Sequence, residues 1–277
     1  MSRIYRALQK AERSRGQRTE EDPIIRIFAE EEKLPSTEKA APGSPGERIR
    51  KVEFPPGDGR PLIIAPPESY SAEQFRKVKT RILNQSPPPR SILITSTIPG
   101  EGKSTVAFNL ALSFAQENHI RTVMVDADLR NSSFFPGLSP LGLSEYLAAQ
   151  TPWEDILIRF EAQNLFVIPA GTPSPKAPEL IGSPRMKDLL KNLREWGEET
   201  YIFIDAPPIL VTSEPLIFSK LVDGIILVVM SDRAPKKAVR RAVETIGREK
   251  IVGVVFNQIS AKPSKHYSNY YYRYYRK

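Results

Sequence analysis

The chain contains no cysteine, which excludes a disulfide framework, thiolate chemistry and any cysteine-ligated metal. Histidine is nearly as scarce: there are two, His119 and His266. Neither lies in a recognisable motif, which argues against a histidine zinc site and against a Ser-His-Asp hydrolase. Long apolar runs are missing too. The longest, Tyr201–Val211 and Gly224–Met230, are strand-sized and far short of the roughly 18 residues that suggest a membrane span. The opening M-S-R-I-Y-R-A-L-Q-K-A-E-R-S-R-G-Q has no apolar signal-peptide core. The expectation is a cytoplasmic chain that reaches the inner membrane, if at all, peripherally and through a partner.

At 277 residues and 40% hydrophobic, the chain can bury a substantial core. Its formal net charge is +8, unevenly spread. Residues 262–277 carry Lys262, Lys265, Arg273, Arg276 and Lys277 and no acid, so the rest of the chain is only mildly basic. That distribution does not favour nucleic-acid binding by the body.

Four segments follow from patterning. Ile4, Ala7, Leu8 and Ala11 recur at helical spacing, so residues 1–15 are expected to form an amphipathic helix. Residues 16–68 mix balanced charges with many prolines, a composition that does not order itself, and are expected to be a linker with Ile24–Phe28 as a short docking segment. Residues 69–261 alternate apolar strands with helices. The expected helices include Ser71–Leu83, with Ser71 as N-cap, and Ser104–Asn118, Ser183–Glu195 and Lys236–Glu249. The expected strands are Ser91–Ser96, Thr122–Asp126, Leu165–Pro169, Tyr201–Asp205, Gly224–Val229 and Ile251–Asn257. The fold class is therefore α/β, a doubly wound and mostly parallel sheet of the P-loop NTPase type. Residues 262–277 form a low-complexity, tyrosine-rich tail.

The chemistry concentrates at S-I-L-I-T-S-T-I-P-G-E-G-K-S-T (residues 91–105), where a strand turns through a tight loop into a helix. Bound phosphate needs converging backbone N–H groups, a cation and a helix N-terminus. Gly100, Glu101 and Gly102 supply the loop, Lys103 reaches the β- and γ-phosphates, Ser104 ligates Mg²⁺ and Thr105 lies by the α-phosphate. The strict pattern starts with glycine; Thr97 stands there instead. Two further strands end in acids: V-M-V-D-A-D-L-R places Asp126 and Asp128, and Y-I-F-I-D-A-P-P places Asp205. Ligands of open parallel sheets bind beyond the carboxyl ends of strands, so the three carboxylates are expected to face one Mg²⁺·ATP pocket. Alternatively, each acid merely caps a helix. Asn257, ending the last strand, is a candidate adenine contact or a plain turn cap.

These motifs resemble the bacterial tyrosine kinases of the capsule and exopolysaccharide type. Pro99–Thr105, Val125–Arg130 and Ile204–Pro208 are similar to that family's Walker A, A′ and B motifs, and Gly171–Ser183 and Gly253–Gln258 to further family segments. S-R-I-Y-R-A-L-Q-K-A-E resembles the opening of the autokinases encoded with exosortase-associated loci. The resemblance implies Lys103, Asp126 and Asp128 as catalytic residues, with Asp126 activating the tyrosine hydroxyl. It implies Ser104, Asp126 and Asp205 around the metal. The family's E-x-x-R-x-x-R ring-assembly helix falls on Glu73, Arg76 and Lys79, with lysine replacing the last arginine; lysine cannot reproduce a bidentate fork.

Six of the ten tyrosines, Tyr267, Tyr270, Tyr271, Tyr272, Tyr274 and Tyr275, crowd the tail. The resemblance makes them the phosphoacceptors of a neighbouring copy, in an oligomer regulating polysaccharide synthesis or export. It also implies a membrane activator protein and a tyrosine phosphatase as partners. Two other readings stay open. One is a Min- or Par-type ATPase switch, although such loops usually carry an early second lysine where this one has Ser96, Thr97 and Ile98. The other is a nucleotide-gated, non-catalytic adaptor.

Overall fold

The computed structural model describes residues 49–52, 65–131, 141–160, 164–197, 199–231 and 233–258. The expected N-terminal helix, nearly all of the expected linker, and the tail with its six tyrosines lie outside the described residues.

Eight strands form one sheet: β1 (Arg50–Val52), β2 (Ser91–Ser96), β3 (Arg121–Asp126), β4 (Ile158–Phe160), β5 (Leu165–Ile168), β6 (Thr200–Asp205), β7 (Gly224–Met230) and β8 (Ile251–Asn257). Their spatial order is β1-β4-β5-β3-β6-β2-β7-β8. Every pairing is parallel except β4 with β5. Seven helices connect them: α1 (Tyr70–Leu83), α2 (Lys103–Ala115), α3 (Leu143–Leu147), α4 (Ala177–Ile181), α5 (Pro184–Glu195), α6 (Glu214–Ser219) and α7 (Lys236–Ile246).

The central strands alternate between two apolar clusters, as strands covered on both faces must. Leu93, Val123, Val125, Ile202, Ile204, Ile225 and Leu227 face one cluster, completed by Met186, Leu189, Leu190 and Leu193 of α5. Those four recur at helical spacing, which makes α5 amphipathic. Ile92, Ile94, Met124, Phe203, Ile226 and Val228 face the other cluster, filled by Val106, Phe108, Leu110 and Phe114 of α2. The α2 sequence is apolar nearly all round because α1 covers its outer side.

The expected elements are present, with shifts at their ends. The N-cap of α1 is Ser69 rather than Ser71: the Ser69 hydroxyl accepts the Ala72 N–H at 3.1 Å. Helix α7 stops at Ile246 because Gly247, at φ +89°, turns the chain out of the helix. Strand β1 falls inside the segment expected to be linker, and pairs with β4. Both are three residues long, too short to show a period.

Phe203 is fully buried in the middle of β6, its ring 4.9 Å from that of Phe114. Phe203→Ala is expected to lower stability by about 3–5 kcal/mol, the usual cost of deleting a buried aromatic ring. Denaturant unfolding measures it; a loss below about 1 kcal/mol would mean that α2 does not pack on this face as described.

Candidate active site

Strands β2, β3 and β6 end side by side at the sheet's carboxyl edge, the position where open α/β sheets bind ligands. Past β2 the chain forms the 97–102 loop and enters α2. Gly100 and Gly102 hold φ values of +79° and +83°, accessible to glycine at little cost. A Cβ on Gly102 would lie 2.2 Å from Asn257 Nδ2, so this position needs glycine for space as well.

The loop is braced from below by Glu101. Its side chain is fully buried and accepts two backbone N–H groups, from Ile98 at 2.8 Å and from Met230 at 3.0 Å. The Glu101 carbonyl accepts the Asn257 amide at 2.9 Å. These contacts refine two sequence expectations. The Glu101 side chain points into the protein, away from any phosphate, and the Asn257 side chain holds the loop. Neither lines the cleft beside it, a cavity of about 780 Å³. Pro99, Gly100, Gly102, Lys103, Ser104 and Thr105 form one wall of that cleft, and Asp128, Arg130, Pro207, Pro208, Val211 and Thr212 stand across from them.

Register brings the acids together. Asp126 and Asp205 are paired residues of neighbouring parallel strands, so both carboxylates emerge at one level. Lys103 Nζ lies 3.3 Å from Asp205 Oδ2, 3.4 Å from Asp128 Oδ2 and 3.3 Å from Ser104 Oγ. Ser104 Oγ donates to Asp205 Oδ2 at 2.5 Å. Asp128 N–H donates to Asp126 Oδ1 at 3.1 Å, which folds the loop after β3 back on the strand end. The Asp205 carboxylate is taken up by Ser104 and Lys103, whereas Asp126 Oδ1 caps the turn that follows its own strand.

Electrostatics follow from that crowding. Burial, then repulsion from Asp205, pushes the Asp126 carboxyl up to about 8. Burial also raises Asp205, against the attraction of Lys103. The Lys103 ammonium is lowered by burial but raised further by Asp205, Asp128 and Asp126, and ends above its ordinary value. Three carboxyl groups around one ammonium make an oxygen-rich centre that suits a divalent cation. Among the described residues no cluster of three or more His, Asp or Glu could cage a metal by protein groups alone. The Ser104 hydroxyl and the Asp128 carboxylate line the cleft, with Asp126 and Asp205 buried beside them; so sparse a set of protein oxygens suits Mg²⁺, which keeps waters and shares substrate oxygens.

Arg130, which had no role in the sequence reading, lines the cleft, and a buried glutamate holds it. Arg130 Nε donates to Glu214 Oε1 at 2.8 Å, and Glu214 is fully buried at the start of α6. Burial would raise the Glu214 carboxyl, but Arg130 and further donors bring it below the ordinary value. Glu214 was invisible because nothing local marks it; its partner lies 84 residues away. The helix expected to mediate assembly is used differently at its end: Lys79 is buried and donates to Glu117 Oε1 at 2.5 Å. It docks α1 on the turn after α2. Arg76 bonds Glu73 at 2.8 Å and the Pro67 carbonyl at 3.0 Å, and both side chains stay partly exposed.

Glu101→Ala strands the Ile98 and Met230 N–H groups in a buried place, each at a cost of about 1–3 kcal/mol. Calorimetric titration with Mg·ATP is expected to show affinity at least tenfold weaker; unchanged affinity would mean the loop does not depend on this carboxylate.

Residues 89–273 match the family model of ParA, described as NUBPL iron-transfer P-loop NTPase. Tyrosine-protein kinase YwqD of Bacillus subtilis is 32% identical over 76% of this chain and 90% of its own length. The succinoglycan biosynthesis transport protein ExoP of Rhizobium meliloti is 30% identical over 76% of this chain and 28% of its own length. The kinase domain of Escherichia coli tyrosine kinase ETK superposes with a TM-score of 0.65 at 25% identity, over 76% of this chain and 85% of that one. With its phosphate loop, paired strand-end aspartates and these relatives, the chain belongs to the P-loop tyrosine-protein kinases of bacteria.

Proposed function

We propose that this kinase transfers the γ-phosphoryl group of ATP to tyrosines 267–275 of a second copy of itself. It would thereby regulate synthesis or export of an extracellular polysaccharide. The observation that carries the proposal is the convergence of Lys103, Asp128 and Asp205 within 3.4 Å, beside Asp126, at the mouth of a glycine-rich loop.

The roles follow from placement. Backbone N–H groups of residues 100–105 and the α2 N-terminus cradle the phosphates. Lys103, relieved of Asp205, spans the β- and γ-phosphates. Ser104 and Asp205, with Asp126 behind them, hold Mg²⁺, which when bound neutralises the charge spread over the phosphate oxygens. Asp126 accepts the phenol proton while the oxygen bonds to the γ-phosphorus and the bond to the β-phosphate oxygen breaks, releasing ADP. Asp128 steadies Lys103 and the turn.

The tail supplies the substrate and the readout. Each phosphate brings about −1.5 to −2 charges. Three would roughly cancel the +5 of residues 262–277, and four or more would reverse it, converting an attraction for acidic surfaces into repulsion. An oligomer held by that attraction would loosen, and a tyrosine phosphatase would reset it. Glu73 and Arg76 remain the candidate contacts between copies, and Lys79 supports them only by fixing α1. Among the described residues no helix is long and apolar enough to cross a membrane. Peripheral recruitment by a membrane protein that also activates the kinase accounts for a role in export.

Full-length protein incubated with Mg·ATP is expected to accumulate phosphotyrosine. Lys103→Ala should reduce the rate at least about 100-fold, as loss of one preorganised charge at a transferring group does. A chain cut after Lys262 should still bind nucleotide but show no self-phosphorylation. Phosphate release without phosphotyrosine would replace the kinase reading with an ATPase switch. Addition of the cytoplasmic segment of the membrane partner should accelerate the wild-type reaction; equal rates would remove the activator.

A further inference from the structure

Beside Asp128, Arg130 and Asn131 the cleft has an apolar stretch that no step above uses. Pro207, Pro208 and Val211 line it together with Thr212. Large hydrophobic side chains are rarely left open here: among the described residues Tyr70, Leu141, Val211, Leu216, Val254 and Phe256 are exposed. Of these, Val211 alone lines the cleft, and it is 59% exposed.

The backbone beneath Val211 is firmly held. Thr95 Oγ1 donates to the Pro207 carbonyl at 2.6 Å. The Ile209 N–H donates to the Ser96 carbonyl at 2.9 Å, and Val211 and Thr212 close a turn on the Pro208 carbonyl at 3.1 and 3.3 Å. Ile209 on one side and Glu214 on the other are buried. Val211 is thus a fixed apolar knob between two anchors, lining the same cleft as Lys103 and Ser104. A single exposed valine is ordinary on a protein surface; this one differs from the other exposed hydrophobics in lining the cleft, on a loop held at both ends.

We infer that Val211, with Pro208, is the seat for the acceptor tyrosine ring and selects tyrosine over serine and threonine. This rests on the kinase reading above. The occupant is a tyrosine side chain from residues 267–275 of a second copy, the segment in which six of the ten tyrosines are gathered. A phenyl ring lying on Val211 and Pro208 buries its faces against apolar surface and points its hydroxyl inward, toward Asp126 and Asp128. A serine or threonine hydroxyl is held much closer to its own backbone. With that backbone outside the knob, it stops short of the carboxylates and leaves the apolar wall wet. Val211 acts here as a specificity residue, not a catalytic one, so its removal weakens acceptor binding rather than the transfer step.

The test uses full-length Lys103→Ala protein as acceptor and full-length Val211→Ser, Val211→Leu or wild-type protein as enzyme, with phosphotyrosine as readout. Val211→Ser is expected to raise KM for the acceptor chain about fivefold, the worth of part of one ring's apolar contact. Its kcat and calorimetric Mg·ATP affinity should stay within about twofold of wild type, and those values also certify that it folds. Val211→Leu should return KM to within about twofold of wild type. Two results would overturn the inference: an acceptor KM for Val211→Ser equal to wild type, or a defect confined to kcat or to nucleotide affinity. A wild-type enzyme that makes no phosphotyrosine would sink the kinase reading itself, whereas an active wild type indistinguishable from Val211→Ser would sink only the ring seat.

Discussion

Pairing of Asp126 with Asp205 across two parallel strands is the constraint from which the site is built. Parallel register fixes the level at which each strand ends, so two carboxylates are forced to the same depth. Burial then makes their coexistence costly, and Lys103, reaching in from α2, is what makes it bearable. A centre of three carboxyl groups around one ammonium is rich in oxygens of the kind that suit a divalent cation. Binding energy can then be directed to the transferring group, where a preorganised charge counts most.

The rest of the carboxyl edge serves that centre by fixing backbone. Glu101 closes the phosphate loop on itself at Ile98 and ties it to the end of β7, and Asn257 ties it to β8. Thr95 and Ser96 tie the strand before the loop to the 207–209 turn on the opposite side. Arg130 is pinned by a carboxylate with no exposure of its own. Each brace is a polar group buried in one defined arrangement, and leaving any of them unpaired costs more than making it gains. The cleft is consequently formed by the fold before any ligand arrives.

Much of this was legible in the linear chain. Strand-to-helix alternation gave the sheet, because burial on both faces demands short continuous apolar runs that no other architecture uses so regularly. The phosphate loop was legible because its chemistry is local: glycines, lysine and hydroxyl act within six residues of each other. Strands β1 and β4 escaped notice because three residues do not make a period, and the N-cap of α1 was misplaced by two because Ser69 and Ser71 are chemically alike. The side-chain partners of Glu101, Asn257 and Lys79 were not legible for a shared reason. Residue type announces a polar contact but not its direction, and all three spend their side chains on protein partners.

Sequence alone determined the fold class, the nucleotide loop, the acid-ended strands and the tyrosine-rich tail, since each is encoded in contiguous residue order through backbone periodicity and local chemistry. Only the tertiary structure decided which carboxylates share Lys103, which glutamate anchors Arg130, and that Val211 stands exposed across from the loop. Those are relations between segments scores of residues apart, fixed by strand register and helix packing, and no local pattern carries register.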